Sequence, residues 1–269
     1  MTQPRLIATD LDGTLLRRDG TLSERSLRAL RTATDAGADV VFVTARPPRF
    51  VDLITIATTG LVGTAVCSNG ALVYDLASRT VTASRALALP VARDVATALS
   101  AAAPGLGFAV ETGHRVLYEP AYGLRFGVPE AEFAVSSLAD LWLVDAPIVQ
   151  LLACSAQFDA DMLLTIAENS AGGAAQFTHS GGRGLLEISA PGVTKAGTLS
   201  ALCAERGFGP EDVVAFGDMP NDLTILRWAG AGYAMGNAHP HVLASAPLRT
   251  ATNEEDGVAE VLERLYGIG

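Results

Sequence analysis

Residues 6–14 of the chain, LIATDLDGT, decide its fold. The first four residues form a short and largely apolar run, which is typical of a strand buried in a parallel sheet. Asp10 and Asp12 follow two residues apart, so both carboxylates point to the same side of an extended strand end, and Gly13 lets the chain turn away. Such a pair could share a hard cation, although the same spacing also occurs in solvated surface turns.

Three other apolar runs end in polar residues, as the first does. They are VVFV at 40–43 before Thr44, TAVC at 64–67 before Ser68-Asn69-Gly70, and VVAF at 213–216 before Gly217-Asp218. Ligands of open parallel sheets bind beyond the carboxyl ends of the strands. We therefore expect these four strand ends to form one site.

The segment between the first two runs has the signature of a helix. Thr21 and Glu24 have the spacing of a capping box, apolar residues then recur at helical intervals, and Gly37 stands where a C-terminal cap belongs. The pattern predicts a βαβ unit.

A different pattern occupies residues 84–189. A helical stretch at 90–102 precedes two strand-like runs, GFAVE and RVLYE, which meet at Gly113-His114 as the strands of a hairpin do. The remainder alternates between strand-like and helical stretches, at 148–155, 159–170, 174–179 and 184–189.

The parallel-sheet pattern then resumes and ends in a helix at about 254–265. The predicted fold class is therefore α/β, with a doubly wound, mostly parallel, Rossmann-like sheet as the core and one inserted α+β domain. We place the core at residues 1–83 and 190–269 and the insert at 84–189.

Further polar residues stand near predicted strand ends and helix starts. Asp218 is placed to be another magnesium ligand, and Asp222 falls in the first turn of the following helix. The hydroxyl group of Thr44 and the nearby N–H groups could hold phosphoryl oxygens, and Lys195 supplies positive charge near a predicted helix start. Each residue alone also fits a solvated or capping role, so the hypothesis depends on their occurring together.

The charge balance argues against one class of partner and constrains another. The chain has 19 basic and 29 acidic side chains, which give a formal net charge of −10. Such a surface repels nucleic acids, so we expect no nucleic-acid partner. A small phosphorylated substrate would meet the same repulsion, so its site needs a metal ion or local positive groups.

Hydropathy and cysteine usage predict the compartment. No apolar run approaches the roughly 18 to 20 residues that a membrane-spanning helix needs, and the apolar stretch at the N-terminus is too short for a secretory signal. Three scattered cysteines, Cys67, Cys154 and Cys203, fit a reducing environment. We expect a cytoplasmic protein without a membrane partner, and the sequence predicts no oligomeric state.

The motifs together resemble the haloacid dehalogenase superfamily of phosphatases. The core of the resemblance is Asp10-x-Asp12-Gly13-Thr14, Thr44, Lys195 and GDMPND at 217–222. Three more stretches are similar to its Cof-type branch, namely Ser68-Asn69-Gly70-Ala71, AMGNA at 234–238 and NEEDGVA at 253–259. The insert stands where that branch carries its type IIB α+β cap.

This resemblance implies a Mg²⁺-dependent phosphatase that hydrolyses a small phosphate monoester, such as a sugar phosphate. Asp10 would attack phosphorus to form an aspartyl phosphate, and Asp12 would protonate the leaving alcohol and then activate water. The metal would be held by Asp10, by the backbone carbonyl of Asp12 and by Asp218. Asp222 would not bind the metal directly but would orient Lys195 and metal-bound water.

The resemblance also implies a set of substrate-binding residues. They are Thr44, Ala45, Arg46, Lys195 and Asn221, of which Thr44 and Lys195 would hold the transferring oxygens. Ala45 departs from the family pattern, which usually has glycine between the threonine and the arginine.

Three other functions stay open at this point. A phosphomutase would use the same Asp10 intermediate. A signalling receiver domain also presents an aspartate, a threonine and a lysine on a doubly wound sheet, although an insert of about a hundred residues is large for a bare phospho-acceptor surface. The fold could also bind phosphorylated ligands without turnover.

Overall fold

The computed structural model describes residues 3–52, 63–123, 132–181, 184–246 and 248–267. It divides the chain into two compact units, one formed by Met1–Ala83 with Thr194–Gly269 and the other by Ser84–Val193. The sequence pattern places the return to the first unit slightly earlier, at residue 190. Within the described ranges, no helix combines the length and the apolar character that crossing a membrane requires.

The first unit contains an eight-stranded sheet. Its strands are β1 Leu6–Thr9, β2 Asp39–Val43, β3 Thr64–Cys67, β4 Leu72–Asp75, β5 Thr80–Ser84, β12 Val213–Gly217, β13 Ala231–Ala234 and β14 Leu248–Arg249. They lie in the order β14-β13-β12-β1-β2-β3-β4-β5. The pairs from β14 to β3 are all parallel, whereas β4 runs antiparallel to β3.

Strand β1 lies in the middle of the parallel part, between β12 and β2. Leu6 pairs with Val213 on one side and with Asp39 on the other. All four residues of β1 are buried, which explains why its sequence is a continuous run rather than an alternation of apolar and polar residues. The residues that follow β1, β2 and β12 therefore emerge side by side at one edge of the sheet.

The helices of the first unit complete the predicted α/β arrangement. They are α1 Glu24–Asp35, α5 Lys195–Glu205, α6 Leu223–Trp228, α7 Pro240–Ser245 and α8 Gly257–Tyr266, and residues 48–52 are also helical. Short 3₁₀ turns occupy Ser68–Gly70, Pro210–Asp212, Pro220–Asp222 and Asn253–Glu255. Helix α1 packs against α8, and Arg25 on α1 forms an ion pair with Glu263 on α8 at 2.6 Å.

The start of α1 differs from the predicted capping box. Ser23 is the N-cap residue, and its hydroxyl oxygen accepts a hydrogen bond from the backbone N–H of Ser26 at 3.0 Å. Thr21 lies before the helix and donates its hydroxyl proton to Asp19 at 2.6 Å. The capping-box prediction was wrong because Thr21 and Ser23 are both good N-cap types, and the local bond to Asp19 decides between them.

The second unit contains the six-stranded sheet of the insert. Its strands are β6 Gly107–Glu111, β7 Val116–Tyr118, β8 Glu132–Ala134, β9 Gln150–Cys154, β10 Gln176–Thr178 and β11 Leu185–Ser189, in the order β10-β11-β9-β6-β7-β8. Every pair is antiparallel except β7 with β8. The predicted hairpin of GFAVE and RVLYE is confirmed by the pairing of β6 with β7.

The described residues of this unit form three helices, α2 Leu89–Ala102, α3 Leu138–Leu141 and α4 Ala160–Ala171. Val95 and Leu99 of α2 and Leu163 of α4 lie in one buried cluster with Phe108 of β6 and Leu151 of β9. The two longer helices therefore cover one face of the sheet, which gives the insert its own hydrophobic core.

The N-cap assignment can be tested by substitution. Ser23→Ala is expected to lower the free energy of unfolding by about 1 kcal/mol, because the first turn of α1 loses its capping acceptor. Thr21→Ala, the matched control outside the helix, should change it by less than about 0.5 kcal/mol. Urea denaturation of both variants measures these values, and equal losses would contradict the assignment.

Candidate active site

Hydrogen bonds between neighbouring strand ends bring the predicted site residues together. The backbone N–H of Asp10 donates to the carbonyl of Phe216 on β12 at 3.1 Å, and that of Thr44 donates to the carbonyl of Val66 on β3 at 2.8 Å. The N–H of Asn69 in turn donates to the carbonyl of Thr44 at 3.1 Å. The four strand ends identified in the sequence thus share one edge of the sheet.

Lys195 lies at the centre of this group. Its Nζ atom is 2.7 Å from Oδ1 of Asp10 and 2.6 Å from Oδ1 of Asp222, and the side chain is only 1% exposed. Lys195 is the first residue of α5, directly after the N-cap Thr194. Burial opposes its charge, but the attraction of Asp10 and Asp222 outweighs burial and raises the pKa of Lys195. The lysine therefore stays charged between two carboxylates.

Asp222 is fixed by the turn that carries it. Its Oδ2 atom accepts hydrogen bonds from the backbone N–H groups of Asp218 and Met219, each at 3.0 Å, while Oδ1 accepts from Lys195. A Cβ atom at Gly217 would overlap the side chain of Asp222, so glycine is needed for this close approach. With both oxygens engaged, Asp222 is suited to orienting its neighbours.

Asp218 packs against the loop that follows β1. Its Oδ1 atom accepts a hydrogen bond from the hydroxyl of Thr14 at 2.9 Å. Gly13 has a φ of +74°, and a Cβ atom there would overlap the carboxylate of Asp218. Glycine at this position therefore meets two requirements, the left-handed backbone and the space for the carboxylate.

The buried carboxylates form a group that could hold a cation. Asp10, Asp218 and Asp222 are buried and offer oxygen atoms within 4.8 Å of one another. When all three are ionised, they carry two more negative charges than Lys195 balances. A divalent cation with a preference for oxygen ligands fits this donor set, and the engagement of Asp222 leaves Asp10 and Asp218 as the carboxylates best able to bind it.

Crowding of these carboxylates changes their titration. Burial, reinforced by Asp222 and Asp218, raises the pKa of Asp10 well above its ordinary value despite the opposing effect of Lys195. Burial and the charge of Asp222 raise the pKa of Asp218 to about 7. Without a cation, the cluster therefore resists full ionisation.

Asp12 lies apart from the buried cluster. Its side chain is 50% exposed and forms a bidentate ion pair with Arg46, with Nε and Nη2 each 2.5 Å from a carboxylate oxygen. This pair joins the loop after β1 to the loop after β2. It leaves Asp12 accessible, which suits a group that exchanges protons.

The loop after β2 holds the next three predicted residues. Thr44 is buried, and its hydroxyl oxygen accepts a hydrogen bond from the backbone N–H of Arg46 at 3.1 Å. Ala45 is partly exposed and has no positive φ, so the alanine in place of the family's glycine imposes no backbone strain here.

Asn221 is the last of the predicted residues. It is buried, and its Nδ2 atom donates to Oδ1 of Asn69 at 2.9 Å. The sequence hypotheses gave no role to Asn69 or Thr14, although both stand in quoted motifs. The sequence carries a further signal for Lys195 that the hypotheses did not use: it is the only lysine in a chain with eighteen arginines.

Comparison with known proteins identifies the family to which this sequence is similar. The sequence profile of haloacid dehalogenase-like hydrolases matches residues 7–262. The 5-amino-6-(5-phospho-D-ribitylamino)uracil phosphatase YitU of Bacillus subtilis is 29% identical, over 99% of both chains. The pyridoxal phosphate phosphatase YbhA of Escherichia coli is 28% identical, over 96% of this chain and 97% of its own.

A solved structure agrees with the sequence relatives. A haloacid dehalogenase-like hydrolase from B. subtilis superimposes with a TM-score of 0.82 at 25% identity, covering 97% of this chain and 99% of its own. Because the family profile covers nearly the whole chain and the fold agrees, the protein belongs to the haloacid dehalogenase-like hydrolases.

Proposed function

We propose that the protein is a Mg²⁺-dependent phosphatase that hydrolyses a small phosphate monoester through an aspartyl phosphate on Asp10. The observation that carries this proposal is the buried Lys195 bridge between Asp10 and Asp222 beside Asp218. It supplies a nucleophile, a fixed positive charge and an oxygen-rich cation site at one strand edge.

Asp10 is arranged to act as the nucleophile. Lys195 donates to its Oδ1 atom, and in the described part of the chain no hydrogen-bond donor contacts its Oδ2 atom. We assign the attack on phosphorus to Oδ2, since the lysine fixes the rotamer from the other side. The covalent step then divides one difficult hydrolysis into two displacements.

The proposed metal ligands are the carboxylates of Asp10 and Asp218 and the backbone carbonyl of Asp12. Bound Mg²⁺ would neutralise charge on the transferring oxygens. Asp222, whose oxygens are already engaged, would keep Lys195 and the backbone of Asp218 in place. Thr14 would hold Asp218 through its hydroxyl group.

The phosphoryl oxygens would be bound by Lys195, the hydroxyl and backbone of Thr44, the backbone of Ala45 and Arg46, and the amide of Asn221. These groups are neutral donors or cations, as a phosphate dianion requires. Because the three buried carboxylates outweigh Lys195 and the chain has a net charge of −10, the bound cation would supply the remaining positive charge that a phosphate group needs.

Asp12 would serve as the general acid and base. It would give a proton to the leaving alcohol and then take one from the water that attacks the aspartyl phosphate. The contact with Arg46 would position the carboxylate, and one of its two hydrogen bonds would open when that oxygen carries the proton, which the exposure of Asp12 to water allows.

The relatives support a broad substrate class rather than one compound. YitU and YbhA are named for two phosphate esters with different organic parts, so we propose a small phosphorylated metabolite, with sugar phosphates as the first group to test. The Ser84–Val193 unit would be the cap that selects it. We also propose a cytoplasmic location, which the three scattered cysteines favour, and no nucleic-acid partner, which the net charge of −10 favours.

The nucleophile assignment predicts the effect of Asp10→Asn. Activity on an aryl phosphate with Mg²⁺ should fall by roughly 10⁴-fold or more, the scale found when other covalent catalysts lose their nucleophile. Asp19→Asn, an exposed control on the same loop, should retain full activity. Retention of activity by Asp10→Asn, with thermal unfolding unchanged, would contradict the mechanism.

The metal site predicts a pH-dependent stability. Because the pKa of Asp218 is raised to about 7, the metal-free folded protein binds this proton more tightly than the unfolded chain does. That stabilisation is complete below about pH 4 and is lost as the pH rises to about 7. In EDTA, the stability of the wild type relative to Asp218→Asn should therefore decrease over this interval.

Mg²⁺ should restore the folding stability that the metal-free protein loses as the pH rises. It binds the ionised carboxylate, so it should raise the melting temperature of the wild type more at about pH 7.5 than at about pH 5. Asp218→Asn should show a weaker response at both pH values. Differential scanning calorimetry measures these shifts, and a Mg²⁺ effect equal at both pH values would contradict the assignment.

A screen of phosphorylated metabolites with Mg²⁺ tests the reaction class. Release of inorganic phosphate is the expected result. Accumulation of an isomer from a hexose phosphate, without free phosphate, would identify a phosphomutase and overturn the hydrolase proposal.

A further inference from the structure

The 3₁₀ turn Ser68–Gly70 after β3 has an unusual backbone. Ser68, Asn69 and Gly70 have φ values of +50°, +55° and +103° in succession, and all three are buried. Positive φ is uncommon for residues other than glycine and costs energy. Two such residues in a row persist only when the surrounding contacts determine them.

Those contacts are made with the loop after β2, residues 44–46. The backbone N–H of Ser68 donates to the carbonyl of Arg46 at 3.0 Å, and the N–H of Asn69 donates to the carbonyl of Thr44 at 3.1 Å. The left-handed turn thus directs two successive N–H groups at both ends of the Thr44–Arg46 loop.

The side chain of Asn69 contacts a second element of the site, the turn that carries Asn221. Its Oδ1 atom accepts the hydrogen bond from Nδ2 of Asn221 at 2.9 Å, across 152 residues of sequence. Within the described residues, Oδ1 of Asn221 and Oγ of Ser68 are buried and have no hydrogen-bond partner. Buried polar atoms of this kind are unfavourable unless a ligand or water completes them.

The end of the turn lies against a third element. The carbonyl of Gly70 accepts a hydrogen bond from the hydroxyl of Thr198 on α5 at 2.7 Å. A Cβ atom at Gly70 would overlap the carbonyl of Thr194, the residue before Lys195. One short turn therefore contacts the Thr44 loop, Asn221 and the start of the helix that carries Lys195.

We propose that Asn69 is a positioning residue for phosphoryl transfer, which fixes the amide of Asn221 relative to the Thr44–Arg46 loop. This inference rests on the proposed phosphatase function. Asparagine suits the position because it tolerates the left-handed conformation and provides an acceptor at the same time. Asn69 acts through Asn221 and does not itself contact the substrate.

Substitution by glycine isolates the side chain. Asn69→Gly removes the acceptor while glycine keeps the left-handed backbone without strain, so the fold should be retained. Arg79→Gly is the matched control, because Arg79 also has a positive φ of +55° but lies exposed in the turn between β4 and β5. Its activity should equal that of the wild type.

A double-mutant cycle distinguishes positioning from a general structural role. Asn69→Gly and Asn221→Ala should each lower kcat/KM for an aryl phosphate by roughly 10-fold, within the range for one hydrogen bond to a charged group. The double variant should lose no more than Asn221→Ala alone, because Asn69 has nothing left to position. Losses that multiply, or an unaffected Asn69→Gly variant, would overturn the proposal.

Phosphate binding separates this inference from the proposed function. Calorimetric titration with inorganic phosphate and Mg²⁺ should show the same pattern, with Kd raised in both single variants and no further in the double variant. A wild type that binds phosphate but does not hydrolyse esters would overturn the proposed function, while the titration still tests the role of Asn69. A wild type that neither hydrolyses esters nor binds phosphate would overturn both.

Discussion

The site depends on one interaction, the buried ammonium of Lys195 held between Asp10 and Asp222. Removing such ions from water costs several kcal/mol for each, and only close, well-directed contacts offset that cost. The fold provides them by placing Asp10 at the end of β1, Lys195 at the start of α5 and Asp222 in the turn after β12. Three elements of the site are thereby tied to the same charge.

The chemistry of lysine explains why this position differs from every other cationic position. Lys195 is the only lysine, and the other eighteen permanently charged basic side chains are arginines. An ammonium is compact and donates in three directions, so it can serve two carboxylates in an almost completely buried position and keep a third N–H for a further acceptor. A planar guanidinium is larger and suits the half-exposed contact that Arg46 makes with Asp12. The two cations therefore have different tasks within one site.

Much of the fold was predictable because buried parallel strands leave continuous apolar runs, as at 6–9 and 64–67. The exposed strand β5 and the short strand β8 carry no such run, so the sequence did not reveal them. The start of α1 was predicted two residues too early, because Thr21 and Ser23 are both residue types that favour an N-cap position. The acidic residues of the site were predictable from strand ends, but the contact of Asn69 with Asn221 joins residues far apart in the chain, and only folding brings them together.

Trapping the covalent intermediate tests the central claim most directly. Acid quenching during turnover, followed by borohydride reduction, converts an acyl phosphate into an alcohol, and mass spectrometry of the tryptic peptide 6–17 then locates the change. We predict homoserine at position 10, dependent on substrate, with Asp12 in the same peptide unchanged. A peptide that is unmodified during rapid turnover, or modified at Asp12, would contradict the assignment of Asp10 as the nucleophile.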